Sequence, residues 1–446
     1  MSTLTFKKGI HPKHAKGQTE KVPVEYVLPE GDVTIMLLQH IGAPCKPLVK
    51  VGDEVLVGQK IGDSDSFVSA PVHSSISGKV KKIEDVLHPN GSRSTGIIIE
   101  NDGLYRETEM IIKNPDVMSK DEILAAIREA GIVGMGGAGF PTFIKLNPPK
   151  DKVIDFIIVN GAECEPYLTS DHRAMIEEAE RAVLGLAVIL RLFPSAKGVI
   201  AIEENKPDAI EAMQKEMDRY KKESGYEFAK NMEVAVLAAK YPQGAEKQLI
   251  YAVTKREVPS GLLPADAGCI VQNIDTVIAI HRAFYRGRPL MRRIVTVSGK
   301  NVAKPGNYKV KIGTSYRQLI EYAGGKIDEC SKVISGGPMM GQALFSIDIP
   351  IIKTSSSILL MSDDELDLSQ ESPCIRCGKC VDACPMNLLP LEIDKFARHN
   401  AKEQFVKYRG MDCIECGSCS YSCPSKRHIV HAIRTTRRAI LAERRK

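Results

Sequence analysis

Cys374-Ile-Arg-Cys377-Gly-Lys-Cys380-Val-Asp-Ala-Cys384-Pro385 recurs as Cys413-Ile-Glu-Cys416-Gly-Ser-Cys419-Ser-Tyr-Ser-Cys423-Pro424. A cubane cluster needs four thiolates converging on one body, and Cys-x2-Cys-x2-Cys wraps three of them around it. The fourth cysteine of each run, followed by proline, points to the other cluster. The spacing therefore predicts two [4Fe–4S] clusters with crossed ligation. One set is Cys374, Cys377, Cys380 and Cys423; the other is Cys413, Cys416, Cys419 and Cys384. The alternative is structural zinc, which uses two separated ligand pairs and has no need of a four-cysteine run ending in proline. The other four cysteines, Cys45, Cys164, Cys269 and Cys330, are scattered singly and read as small buried hydrophobes. Cys164 is set apart only by its neighbours, described below.

An acidic linker, Ser362 to Glu371, precedes the cysteine region. Upstream of it, residues 294–298 and 306–312 read as strands, followed by a short helix over 315–322 ending at Gly324-Gly325. Strand, turn, strand and helix in so few residues resemble a β-grasp domain of the soluble-ligand-binding (SLBB) type. Further back, 116–287 alternates helix and strand. Ser119-Lys-Asp-Glu122 is a capping box opening a helix. Strands are expected at 153–159, 198–202 and 232–237, and helices over 171–193, after Pro207, over 244–253 and over 274–285. That order predicts a Rossmann-like three-layer unit with a parallel sheet. The first 115 residues read as all-β. Val49 to Gly62 and Val68 to Val80 alternate apolar and polar positions between glycine turns, and the pair resembles a biotinyl/lipoyl-type barrel-sandwich hybrid. Asp63 to Ser69 lacks the lysine that such a carrier modifies, so a scaffold or docking role is expected. The chain thus divides into a barrel-sandwich unit (1–115), an α/β unit (116–287), a β-grasp unit (288–350) and a helical dicluster ferredoxin unit (351–446).

Within the α/β unit, Gly134-Met-Gly-Gly-Ala-Gly-Phe-Pro-Thr-Phe-Ile-Lys145 is a glycine-rich loop ending in lysine. It follows a helix rather than a strand, so it fails the context of a dinucleotide fingerprint. Its neighbours give it weight. Asn160-Gly-Ala-Glu-Cys-Glu-Pro166 lies at the C-terminal end of a strand, where α/β folds bind ligands. Gly244-Ala-Glu-Lys-Gln-Leu249 and Gln272-Asn-Ile-Asp-Thr276 stand at helix starts, which suit phosphate. Together these four stretches resemble the flavin- and NADH-binding subunit of respiratory complex I over about 120–350. With its barrel-sandwich start and double cysteine motif, the whole chain resembles the C subunits of Rnf complexes, membrane-bound ferredoxin:NAD+ oxidoreductases.

The resemblance implies FMN and NAD(H) as cofactors beside the two clusters. Gly136, Gly137, Gly139 and Lys145 would contact the FMN phosphate or ring, and Asn160, Asn273 and Thr276 would face the flavin. Glu163, Glu165 and Glu246 would line the nicotinamide nucleotide pocket. Met135 stands where the complex I subunit has arginine, and Ala162 where it has aspartate, so two side-chain contacts are not available. The resemblance also implies integral membrane and iron–sulfur partner subunits that translocate Na+ or H+, with ferredoxin reached indirectly. A nicotinamide gives two electrons and a cluster takes one, and a flavin converts between them. No side-chain nucleophile or acid–base residue is required. A flavoprotein subunit of a soluble NADH-linked hydrogenase or dehydrogenase is the rival, as is a non-catalytic relay subunit. The hydrogenase type carries a single such cluster motif and no barrel-sandwich start.

Composition sets the remaining bounds. The length of 446 residues implies three or four domains. A formal charge of +6 gives no support to nucleic-acid binding. The first seventeen residues lack the apolar run of a signal peptide, and Ala182 to Leu190, the longest apolar run, falls far short of a membrane span. Attachment to the cytoplasmic face of the inner membrane is therefore expected to be peripheral, through partners. Residues Lys426 to Lys446 carry eight Lys/Arg against one Glu. They read either as a helix packed on the ferredoxin region through Ile429, Val430, Ile433, Ile440 and Leu441, or as a contact with anionic lipid or an acidic partner.

Overall fold

The computed structural model describes residues 3–444. Four parallel strands form the central sheet, in the spatial order Met232–Leu237, Lys197–Glu203, Phe156–Gly161, Cys269–Asn273. Successive side chains of a strand point to opposite faces, and both faces are covered here. Ile157, Val159, Ile200 and Ile202 pack with the helices Ala179–Leu192, Pro207–Glu223 and Ile274–Tyr285. Ile158, Val199 and Ala201 pack with Leu249 and Ile250 of the helix Glu246–Thr254. This three-layer sheet changes winding direction between Phe156–Gly161 and Cys269–Asn273, which places a ligand crevice at their carboxyl ends.

The single helix expected over 171–193 is two helices, Ser170–Glu177 and Ala179–Leu192. Glu178 interrupts them at φ −129°, ψ 29°. Its buried carboxylate accepts from Arg282, Lys309 and Arg181. A charge drawn into the interior is held only where cations meet it, and here that requirement breaks the helix.

The barrel-sandwich region has two small sheets. One joins Val33–Met36, Arg93–Asn101, Gly78–Leu87 and Glu54–Val55; the other joins Lys46–Pro47, Lys60–Asp63 and Val72–His73. Its carrier-type hairpin is fastened down. Asp63 accepts from Lys60 (3.1 Å) and Arg128 (2.9 Å), and the Ala70 N–H donates to His40 Nε2 (3.1 Å). The β-grasp sheet runs Glu25–Val27, Gly306–Lys311, Arg292–Ser298, Ser357–Met361, Lys332–Ser335, Gln342–Ala343. Two of its strands lie outside the segment 288–350 that the sequence suggested. Glu25–Val27 comes from the N-terminal region, and Ser357–Met361 from beyond 350. Both pairings are long-range, so no local pattern announces them. Among the described residues, those before Glu25 add no strand to the two small sheets. Leu4 and Ile10 bridge to Leu237 and Tyr241 of the α/β unit.

The cysteine region folds as two matched loops. Left-handed residues recur at equivalent positions, Arg376 with Glu415, Gly378 with Gly417 and Asn387 with Lys426. Helices Pro390–Arg398 and Ile429–Glu443 pack against each other around Ile393, Phe405, Ile429, Ile433 and Ile440. The apolar face of the terminal helix is thus largely core, although Leu441 stays exposed. Arg434 and Arg437 pair with Glu415. Among the described residues, no helix is long and apolar enough to cross a membrane.

Candidate functional site

Asn160 and Asn273 lie at the carboxyl ends of the two strands that flank the winding change, and they are register partners. Asn160 Nδ2 donates to the Gly244 carbonyl (2.8 Å), joining its strand end to the start of helix Glu246–Thr254. Asn273 caps helix Ile274–Tyr285 through the Asp275 N–H (2.9 Å), and its Nδ2 donates to Asp171 (2.7 Å). Burial pushes the Asp171 carboxyl up to about 7. The glycine loop lies across these ends. The Met135 N–H donates to Thr276 Oγ1 (3.0 Å), and a Cβ at Gly136 would stand 3.0 Å from the Asn273 Cβ. Gly137 faces open space. Gly139 turns at φ +71°, and its carbonyl accepts the Ile41 N–H of the barrel-sandwich unit (3.3 Å).

Short helix Thr142–Lys145 follows, and Lys145 Nζ sits 2.6 Å from Glu246 Oε1. Buried Thr142 Oγ1 has no hydrogen-bond partner. A small-residue cradle with a cation at its end and an orphaned hydroxyl beneath it suits a flavin phosphate. The structure thus brings together Gly136, Gly137, Gly139, Lys145, Asn160, Glu246, Asn273 and Thr276.

Glu163 and Glu165 do not present free carboxylates to that crevice. Glu163 accepts the N–H groups of Asp171 (2.7 Å) and His172 (3.2 Å), taking the place of a cap on helix Ser170–Glu177. Lys16, 5 % exposed, binds the backbone carbonyls of Glu163 (2.8 Å), Glu165 (3.0 Å) and Leu168, so the N-terminal arm fixes this loop. Glu165 accepts from the N–H groups of Met339 (3.0 Å) and Met340 (2.9 Å) in the β-grasp unit. Burial outweighs those bonds and raises its pKa from 4.5 to about 7.

A raised carboxyl stabilises the fold fully below its unfolded pKa, and that contribution is lost as pH rises through the folded value. Glu165→Gln, neutral throughout, is therefore expected to gain about 2–3 kcal/mol relative to the parent chain between about pH 5 and about pH 8. Thermal melts across that range check it, and a pH-independent difference refutes it.

Beside Glu165 stands Tyr241, 1 % exposed, whose hydroxyl donates to the Cys416 carbonyl (2.7 Å). Met339, Cys164, Ile414 and Cys416 pack around it. Gln248 Nε2 donates to the Pro385 carbonyl (3.3 Å). The cysteine region therefore docks directly on the α/β and β-grasp units. Tyr241, Lys16 and the Met339–Met340 turn escaped the sequence reading, because nothing in their local pattern marks them.

The eight motif cysteines line two separate cavities. One is walled by Cys384, Cys413, Cys416 and Cys419 with Leu388, Ile393 and Ile433. The other is walled by Cys374, Cys377, Cys380 and Cys423 with Asp394 and Arg427. Among the described residues, no three ligand-type side chains converge on a point as a single metal ion demands. Thiols spread around a cavity suit a larger body. Burial pushes the Cys413 thiol up to about 12, so a thiolate in the first cavity would need a cationic group beside it. The second is more open, with Cys374 and Cys377 exposed.

A glycine cradle at the crevice of a parallel sheet, in a unit that docks through Tyr241 and Gln248 on a doubled cysteine cradle, defines a flavin- and iron–sulfur-binding electron-transfer protein. Domain comparison agrees with the observed order. Residues 4–104 match the RnfC barrel sandwich hybrid domain, 127–282 the Nuo51 FMN-binding domain, 294–343 the SLBB domain and 373–427 the 4Fe-4S dicluster domain. The chain belongs to the family of C subunits of ion-translocating ferredoxin:NAD+ oxidoreductase complexes. It is 46% identical to the C subunit of the Na+-translocating complex of Acetobacterium woodii, over 99% of this chain and 98% of that one. It is 48% identical to the C subunit of the proton-translocating complex of Clostridium ljungdahlii, over 96% and 93%. An NAD+-reducing [NiFe]-hydrogenase in its H2-reduced state shares the fold at TM-score 0.50 and 18% identity, over 75% of this chain and 62% of that one.

Proposed function

We propose that this chain is the NAD(H)-side electron-transfer subunit of an Rnf-type complex, carrying electrons between NAD(H) and iron–sulfur partners while integral subunits translocate Na+ or H+. The observation that carries the reading is the junction itself, with Asn160 and Asn273 at the crevice and the Tyr241 hydroxyl on the Cys416 carbonyl. FMN bound at the glycine loop supplies the conversion between two-electron nicotinamide and one-electron cluster chemistry. Gly136, Gly137, Gly139, Asn160, Asn273 and Thr276 would shape its seat, and Lys145 would supply the cation for its phosphate. Glu246 and the backbone around Glu163 and Glu165 would border the nicotinamide nucleotide. Cys384, Cys413, Cys416 and Cys419 would hold one [4Fe–4S] cluster facing this junction. Cys374, Cys377, Cys380 and Cys423 would hold a second facing outward, toward a partner. Ferredoxin is reached through other subunits, and the chain sits peripherally on the cytoplasmic face.

The test is anaerobic titration of the full chain, loaded with FMN and iron, against NADH. Bleaching of the flavin followed by cluster reduction is expected. Lys145→Ala is expected to weaken FMN roughly 10–100-fold, the worth of one charge-assisted phosphate contact, while iron content stays unchanged. An FMN-loaded chain that never reacts with NADH would leave only a relay role.

A further inference from the structure

Toward the far end of helix Ile274–Tyr285, roughly 14 Å by helix rise from Asn273, lies a further cavity that the redox reading does not use. Four cations line it, Arg282, Arg288, Arg292 and Lys311, together with apolar surface from Leu290 and Met291. It opens where the α/β unit, the β-grasp sheet and the barrel-sandwich unit meet. We propose that this cavity binds a phosphate-class anion, either orthophosphate or the phosphate group of an ester.

Three observations support it. First, Arg292 and Lys311 stand directly opposite each other in the antiparallel pair of Arg292–Ser298 with Gly306–Lys311. Like charges so placed destabilise a sheet, unless an anion lies between them. Second, counter-charge is short. Glu178 is shared among Arg282, Lys309 and Arg181, and Glu107 is taken by Arg288 through two 2.8 Å bonds. Among the described residues, Arg292 and Lys311 have no carboxylate partner. Lys311 lies 5.4 Å from the Tyr105 ring and feels Glu107 at longer range, and Tyr26, which acts on Arg292, accepts a hydrogen bond from Lys309. Burial and then Arg292 push Lys311 down to about 8, and burial and then Arg282 push Arg292 down to about 10, with Glu107 and Glu178 offsetting this only in part. Third, Arg282 is 7 % exposed, yet its Nε has no hydrogen-bond partner. A buried guanidinium N–H left open is a donor prepared for a ligand. An acidic protein segment would meet exposed rim charges rather than a group buried this deeply.

The experiment uses the full chain with flavin and clusters loaded. Sodium phosphate is compared with sodium chloride at equal ionic strength, by calorimetry and thermal melting. Saturable phosphate binding with a raised melting temperature is expected. Arg292→Gln/Lys311→Gln is expected to weaken that binding at least about tenfold, and to melt higher than the parent in phosphate-free buffer because the opposed charges are gone. If the double variant fails to load its cofactors, Lys311→Gln alone serves. Vesicles of phosphatidylglycerol and phosphatidylcholine, compared with phosphatidylcholine alone, identify the source. Cosedimentation lost in the variant assigns a lipid headgroup, whereas phosphate binding without cosedimentation assigns a soluble phosphate. No phosphate effect beyond chloride, an effect unchanged in the variants, or binding of polyglutamate in place of phosphate overturns the proposal.

Discussion

Cys380→Ala and Cys384→Ala, four residues apart on one motif, are expected to destroy different clusters. The parent chain, reconstituted anaerobically, should hold about eight irons and each variant about four. Cys384 lines the cavity against Tyr241 and Cys416, whereas Cys380 lines the one toward solvent. NADH should still bleach the flavin in both. In Cys384→Ala, reduction of an external one-electron acceptor should fall at least about 100-fold, since losing a cluster ligand exceeds the roughly 10–100-fold cost of disturbing groups that merely support ligands. The cluster signal surviving in Cys384→Ala should be the one absent from Cys380→Ala by EPR. If both variants lose the same signal, the crossed ligation is wrong, and each motif closes on itself.

Lys206→Ala is expected to cost about 3–5 kcal/mol, the penalty for leaving one partner of a buried ion pair alone. Lys206 and Glu203 are each 1 % exposed, with Nζ 3.0 Å from the carboxylate. Lys206 also donates to the Ala162 carbonyl (2.7 Å), at the entrance to the Glu163–Pro166 loop. Its removal strands a buried carboxylate and unties the end of the strand that carries Asn160. For a unit of this size the melting shift should be on the order of 10 °C, with flavin released early in the transition. Glu203→Met/Lys206→Met removes both charges and should be much milder, because replacing a whole buried pair by apolar groups is often neutral. A Lys206→Ala loss below about 1 kcal/mol would mean that water reaches the pair and the argument from burial fails.

Much of the architecture is legible in the chain alone. The cysteine spacing reveals the thiols that line the two cavities, because three of each set are close neighbours in sequence. The alternation of helix and strand reveals the layered sheet, because burial on two faces imposes a period on each segment. The capping box at Ser119–Glu122 is present as expected, both of its hydrogen bonds made within four residues. The break at Glu178 is not legible. A residue with no cap or turn signal leaves the helix because Arg282 and Lys309 reach it from distant parts of the chain and Arg181 joins them from the next turn.

The same division holds across the site. By itself, the sequence marked the eight paired thiols by their spacing, a local pattern, and singled out the glycine loop and its neighbouring stretches by their resemblance to a flavin-binding family. Only the tertiary structure decided where those residues meet. Asn160 and Asn273 face one crevice because the strand order reverses there, and Cys384 joins the Cys413 motif because two matched loops face each other. Glu163 and Glu165 turned inward for the same kind of reason. A helix N-terminus and the Met339–Met340 N–H groups offer those buried carboxylates donors that composition cannot reveal. Opposed Arg292 and Lys311 likewise exist only in strand register. Such juxtapositions are set by long-range packing, which leaves no period and no motif in the chain.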